Sequence, residues 1–128
     1  MSKSSKVTFR EQPPAESLST APGGVEVHAE TLVVETAQRM EMIDITGRVM
    51  TLVHPLPIRE GIVNLFSLHT TCAVLINEMQ AALQTDIKQF LEHLVPRDAE
   101  WLHNDPNHSD CDRFNADSHL RAMLVGQN

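Results

Sequence analysis

Three separated stretches of the chain carry side chains that could do chemistry together: His69-Thr70-Thr71, His103-Asn104-Asp105 and His119. Zn²⁺ or another divalent ion takes neutral imidazole nitrogen and carboxylate oxygen, so His69, His103, Asp105 and His119 form a candidate metal set. The first two stretches also have a plainer reading, the first as a Thr-rich bend that caps its own backbone and the second as an Asn-Asp-Pro-Asn turn with solvated histidines. No single spacing is diagnostic, because the chain has no H-E-x-x-H, G-x-x-x-x-G-K-[ST], G-x-S-x-G or C-x-x-C.

The elements that must position these residues follow from periodicity and punctuation. From Gly61, "IVNLFSLHTTCAVLINE" is a β-favouring run about three times the usual strand length of roughly 5–6 residues, so it should break. The polar triplet is the natural break, which puts His69 to Thr71 at a strand end between two strands carrying Val63, Leu65, Ala73 and Leu75. "MQAALQTDIKQFLEHLV" then places Leu83, Ile87, Phe90, Leu91 and Leu94 at helical spacing, and Pro96 closes that helix. His93 lies on it as a solvated helix residue. Residues 103–113, "HNDPNHSDCDR", have no apolar residue except Cys111 and cannot bury themselves, so they read as a loop. "NADSHLRAMLVG" predicts a short helix, capped by Asn115 or Asp117, stopped by Gly126 and carrying His119 on its first turns.

Upstream, Val25 to Ile43 predicts two strands, and Thr46 caps a short helix with Val49, Leu52 and Val53 on one face, ended by Pro55 and Pro57. Residues 1–24 lack sustained periodicity and read as a flexible leader ending at Pro22-Gly23-Gly24, with one domain over 25–128. At 128 residues, one domain is the expected count. The net charge of -7 argues against a nucleic-acid or anionic-membrane partner, since either needs a Lys/Arg stripe. Cys72 and Cys111, far apart in sequence, suit reduced thiols and a cytoplasmic setting. No stretch has the length and apolarity of a signal peptide or a membrane span.

"DITGRV", "GIVNLFSLHTTCAVLINE", "LEHLVP", "HND" and "NADSHLRAMLVG" occur in an order and spacing that closely resemble the YjbQ-like family, known as secondary thiamine-phosphate synthases, over about residues 25 to 126. The resemblance implies an α+β fold, with a β-sandwich-like sheet flanked by helices, packed as a homotrimer with polar sites near subunit boundaries. It implies a weak thiamine-phosphate synthase activity on small phosphorylated ligands, joining a pyrimidine diphosphate to a thiazole phosphate with loss of pyrophosphate. Carried over residue by residue, it gives His69, Asp105 and His119 catalytic roles and puts Thr70, Thr71, Asn77, Glu78 and Asn104 on the substrate. A divalent metal, Zn or Mg, would be held by His69, His103, Asp105 and His119. The alternative within the same resemblance is a non-catalytic trimeric module that binds a metal or an anion. Similar proteins continue past the last helix with further strands, including a G-T-W-Q-like stretch, whereas this sequence stops at Gln127-Asn128. An incomplete C-terminal sheet is therefore expected.

Overall fold

Local caps and apolar spacing explain the helices of the computed structural model, which describes residues 6–9 and 26–126. The described residues are mixed helix and strand and fall into two units, divided between His54 and Pro55.

In the first unit β1 (Lys6–Phe9) pairs antiparallel with β2 (Leu32–Glu35), in the register Lys6↔Glu35, Val7↔Val34, Thr8↔Val33 and Phe9↔Leu32. The opposite charges of Lys6 and Glu35 face each other across the ladder, and the β-branched and aromatic residues between them suit a pleated surface. β1 lies inside the stretch expected as leader. Its four residues are too few for a period to register in sequence, and only the partner strand more than twenty residues away defines them. Of the two strands expected over residues 25–43, the described part contains β2 alone. Helix α1 (Thr46–Val53) follows, with Val49, Leu52 and Val53 half-buried. Its cap differs from the expectation. Thr46 is the first helical residue, and Asp44 Oδ1 accepts the Thr46 N–H at 2.8 Å. The first turn therefore takes its acceptor from a carboxylate two residues upstream, where a negative charge also suits the helix dipole.

In the second unit, residues 61–68 and 72–80 join no ladder, so the one sheet among the described residues is the two-stranded β1-β2. A strand is held only by a neighbour's N–H and C=O groups, and a β-favouring sequence cannot supply that neighbour itself. Several apolar side chains of these segments consequently stand in solvent, while Leu65, Ala73 and Val74 are half-buried. Ile62 is 96% exposed, Leu68 83% and Phe66 63%, and Ile76 is fully exposed.

Helix α2 (Ala81–Leu94) starts at Gln80, whose Oε1 accepts the Leu83 N–H at 2.7 Å. It half-buries Leu83, Ile87 and Leu91, one residue per turn, while Phe90 and Leu94 remain outside. The chain then returns through a 3₁₀ turn (Leu102–Asn104) into α3 (Ala116–Val125), which ends where Gly126 adopts φ 96°, a left-handed value that glycine takes without a Cβ clash. Most of the best-buried described residues lie here: Val95 after α2, and Ala116, Asp117, Arg121 and Ala122 of α3, with Ser67 buried in its own turn. Two of these are charged, and they meet, with Arg121 Nη1 3.2 Å from Asp117 Oδ2. No helix among the described residues is long and apolar enough to cross a membrane, and both Cys72 and Cys111 are free thiols.

Candidate functional site

The polar triplet makes a closed local turn. The hydroxyl of Ser67, itself buried, accepts the His69 N–H at 3.3 Å and donates to the His69 carbonyl at 3.2 Å, which also accepts the Cys72 N–H at 3.2 Å. His69 Nδ1 takes the Thr71 N–H at 3.2 Å and lies 2.9 Å from Thr71 Oγ1. A backbone N–H can only donate, so Nδ1 is the acceptor and the proton of neutral His69 sits on Nε2. His69 and Thr70 are exposed and Thr71 is half-buried. Their outward group is thus an N–H donor beside a hydroxyl, chemistry suited to an anion's oxygen.

The second stretch divides its work among three residues. Asn104 Oδ1 accepts the Ala116 N–H at 3.0 Å, so the middle residue of H-N-D caps α3 from twelve positions away. Asn115 holds the N-cap position but makes no side-chain cap, because its Oδ1 faces His103 Nε2 at 3.2 Å and Cys111 Sγ at 4.0 Å. Phe114, at φ 47°, turns the chain into this arrangement. An amide oxygen only accepts, so His103 carries its proton on Nε2 and leaves Nδ1 as a lone pair. The His103 ring stands edge-on to His119, with centroids 5.2 Å apart and planes at 89°. Two expected site residues from separate segments therefore meet, both half-buried.

Asp105 has partners of its own. Its Oδ1 accepts the backbone N–H of Asn107 at 2.8 Å and the Asn107 amide at 3.0 Å, and Oδ2 accepts from His108 Nδ1 at 2.8 Å. The Asn107 backbone bond first, and the His108 bond second, hold the Asp105 carboxyl below its ordinary 3.8. Since a carboxylate only accepts, His108 has its proton on Nδ1 and turns an Nε2 lone pair outward, the opposite polarity to His69. Asn77 and Glu78 are exposed ahead of α2, and Asn77 Oδ1 accepts the Glu78 N–H at 2.8 Å.

The four expected metal donors thus lie in three separate contacts: His69 with Thr71, Asp105 with Asn107 and His108, and His103 with His119. Among the described residues no three His, Cys, Asp or Glu side chains gather so as to hold a metal ion. The donor set in this structure fits a divalent ion at one or two points and not as a coordination sphere. Sequence reading left out Asn115 as a partner of His103, His108 as a partner of Asp105, and the Asp117–Arg121 pair. Only the last had a sequence signal, as opposite charges four apart on a helix.

The family described as "UPF0047 protein YjbQ-like" matches residues 30–128. A UPF0047 protein of Methanothermobacter thermautotrophicus is 44% identical over 102 residues, covering 80% of this chain and 67% of the relative. A UPF0047 protein of Archaeoglobus fulgidus is 41% identical over 97 residues, covering 74% and 68%. A third, from Methanocaldococcus jannaschii, is 30% identical over 94 residues, covering 73% and 62%. The matched region therefore spans about two thirds of each relative's length. No solved structure matches the chain.

Proposed function

The chain belongs to the UPF0047 YjbQ-like family, and from that premise we propose that it binds a small phosphorylated ligand beside His103 and His119, with a weak thiamine-phosphate synthase activity. The observation that carries the reading is the contact between these two rings, at 5.2 Å. Imidazoles from the H-N-D turn and from α3 share one half-buried place, next to an asparagine that fixes the tautomer of the first. The backbone N–H of His119 donates to the Asn115 carbonyl at 3.3 Å inside the helix start, while its ring makes no hydrogen bond among the described residues and can offer an N–H to a phosphate oxygen. The His103 Nδ1 lone pair can accept from a singly protonated phosphate. In the synthase reaction a C–N bond forms between thiazole and pyrimidine methylene, and pyrophosphate leaves. Donors aimed at the departing oxygens would stabilise the charge that develops there.

A second reading, a non-catalytic anion-binding module, is favoured by one observation. The strongly held carboxylate, Asp105, is committed to its own turn and to His108. In both readings the chain works as a homotrimer, where residues 61–68 and 72–80 would find the partners of a sandwich-like sheet.

Titration with inorganic phosphate, followed by the ring-proton signals of His103 and His119, tests the shared part. Saturable shifts of both rings are expected, and their loss in His119→Ala. Phosphate that leaves both rings unmoved would refute it. A pyrophosphate-release assay with the two synthase substrates then separates enzyme from binding module.

A further inference from the structure

We propose that Asp117 and Arg121 are positioning residues of the His103–His119 site, holding α3 against the end of α2 in the placement that sets His119 edge-on to His103. The functional side of this proposal rests on the anion-site reading above, whereas its structural side stands on geometry alone. Arg121 donates from Nε at 3.1 Å and from Nη2 at 2.8 Å to one acceptor, the carbonyl of Val95. That carbonyl closes α2, where the helix leaves its last acceptors without intrahelical partners. Two donors from one planar guanidinium fix orientation as well as distance, which a lysine ammonium cannot do. The third nitrogen, Nη1, faces Asp117 Oδ2 at 3.2 Å. Asp117 is 0% exposed and Arg121 8%.

The choice of a buried ion pair is informative, because apolar residues of similar volume are often as stabilising or more so. What an ion pair adds is a fixed geometry. Asp117 and Arg121 are four apart and share one face of α3, while His119, two residues from each, lies on the opposite face. Pinning the first face therefore sets where the second points. The segment that carries His103 is pinned at matching places: Trp101 Nε1 donates to the Pro96 carbonyl at 2.9 Å, and Asn104 caps Ala116. Residues 95 to 121 thus form a ring of contacts in which the Arg121–Val95 bonds are the closure. Without them α3 can rotate about the Asn104 cap, and the imidazoles separate.

The test uses the full chain with Arg121→Lys, Arg121→Ala and Asp117→Asn. Ring-proton NOEs between His103 and His119 and the Kd for inorganic phosphate are measured on the folded fraction, with urea unfolding run separately. The NOE should weaken in Arg121→Lys and vanish in Arg121→Ala, with phosphate affinity falling roughly tenfold in the latter, the equivalent of about 1.4 kcal/mol. Guanidinium at sub-denaturing concentration should restore both in Arg121→Ala, a rescue that a general loss of stability would not show. An NOE and a Kd that stay within about twofold of wild type in both arginine variants would overturn the proposal. Where Arg121→Ala does not fold, Arg121→Lys decides alone by the same criterion. A wild-type chain that ignores phosphate refutes the anion-site reading only, because the NOE still reports whether Arg121 places His119.

Discussion

Histidine tautomers carry most of the chemical information at the level of single residues. Three rings are each fixed by a partner of known polarity: His69 by the Thr71 N–H, His103 by the Asn115 amide oxygen and His108 by the Asp105 carboxylate. Nitrogen-15 spectra at neutral pH should show neutral His69 and His103 as Nε2–H and His108 as Nδ1–H. Finding His69 as Nδ1–H would contradict the turn described for residues 67–72. Asp105 gives a second expectation, about acid. Its carboxyl is held below 3.8 in the folded chain, so the stability it contributes is fully present above the unfolded value and is lost as pH falls through the folded one. The turn over residues 105–109 should keep its NMR signature down to about pH 4 and loosen only below that. Asp105→Asn, which cannot lose a charge, should remove this acid step; an unchanged step in the variant would assign it elsewhere. Asp44, held low by Thr46, should behave alike at the start of α1.

Helices and strands differ in how much of them a sequence can carry. The apolar spacing of α2, the polar start of α3 and the stop signals at Pro96 and Gly126 are local, so both helices are legible, as is α1 up to its proline. β1 is not, because "KVTF" becomes a strand only through "LVVE", and nothing within four residues announces a partner. The His103–His119 contact is half-legible. Polar residues in otherwise apolar or turn-rich surroundings singled both out, but their meeting depends on a cap that spans twelve residues. The asparagine at the N-cap position is engaged with His103, so the cap comes from Asn104, an exchange that no residue-by-residue rule contains. This exchange predicts an asymmetry. Asn104→Ala should destabilise the chain by about 1–2 kcal/mol, because the N–H of buried Ala116 loses its acceptor at a helix start. Asn115→Ala should cost less stability and instead free the His103 ring. Urea midpoints at unchanged m-value, set beside the His103 tautomer, measure both. Equal midpoints for wild type and Asn104→Ala would show that the cap carries no weight.

Across the described residues, the largest imbalance is between apolar side chains and the surface that covers them. Buried apolar residues among those described are few and small, Val95, Ala116 and Ala122, while Ile62, Phe66, Leu68 and Ile76 face solvent from segments without ladder partners. Such segments offer unpaired N–H and C=O groups and apolar side chains together, the combination through which chains add to one another edge to edge. Burying one of these side chains stabilises by about 1.5–3 kcal/mol, so four per protomer outweigh much of the association entropy. A net charge of -7 on every copy opposes association of any kind, so the apolar burial has to outweigh that repulsion. Self-association is therefore expected, and membership of the family makes a trimer the proposed state. Light scattering at micromolar concentration should give three times the 14.3 kDa protomer mass. Ile62→Lys with Ile76→Lys should shift the distribution toward monomer, with α2 and α3 retained by circular dichroism. Hydrogen exchange supplies an independent reading, since the amides of 61–68 and 72–80 should be protected in the assembly and exchange freely in the double variant. A wild-type chain that stays monomeric, with those amides unprotected, would mean that the exposed strip is the resting surface of the protein.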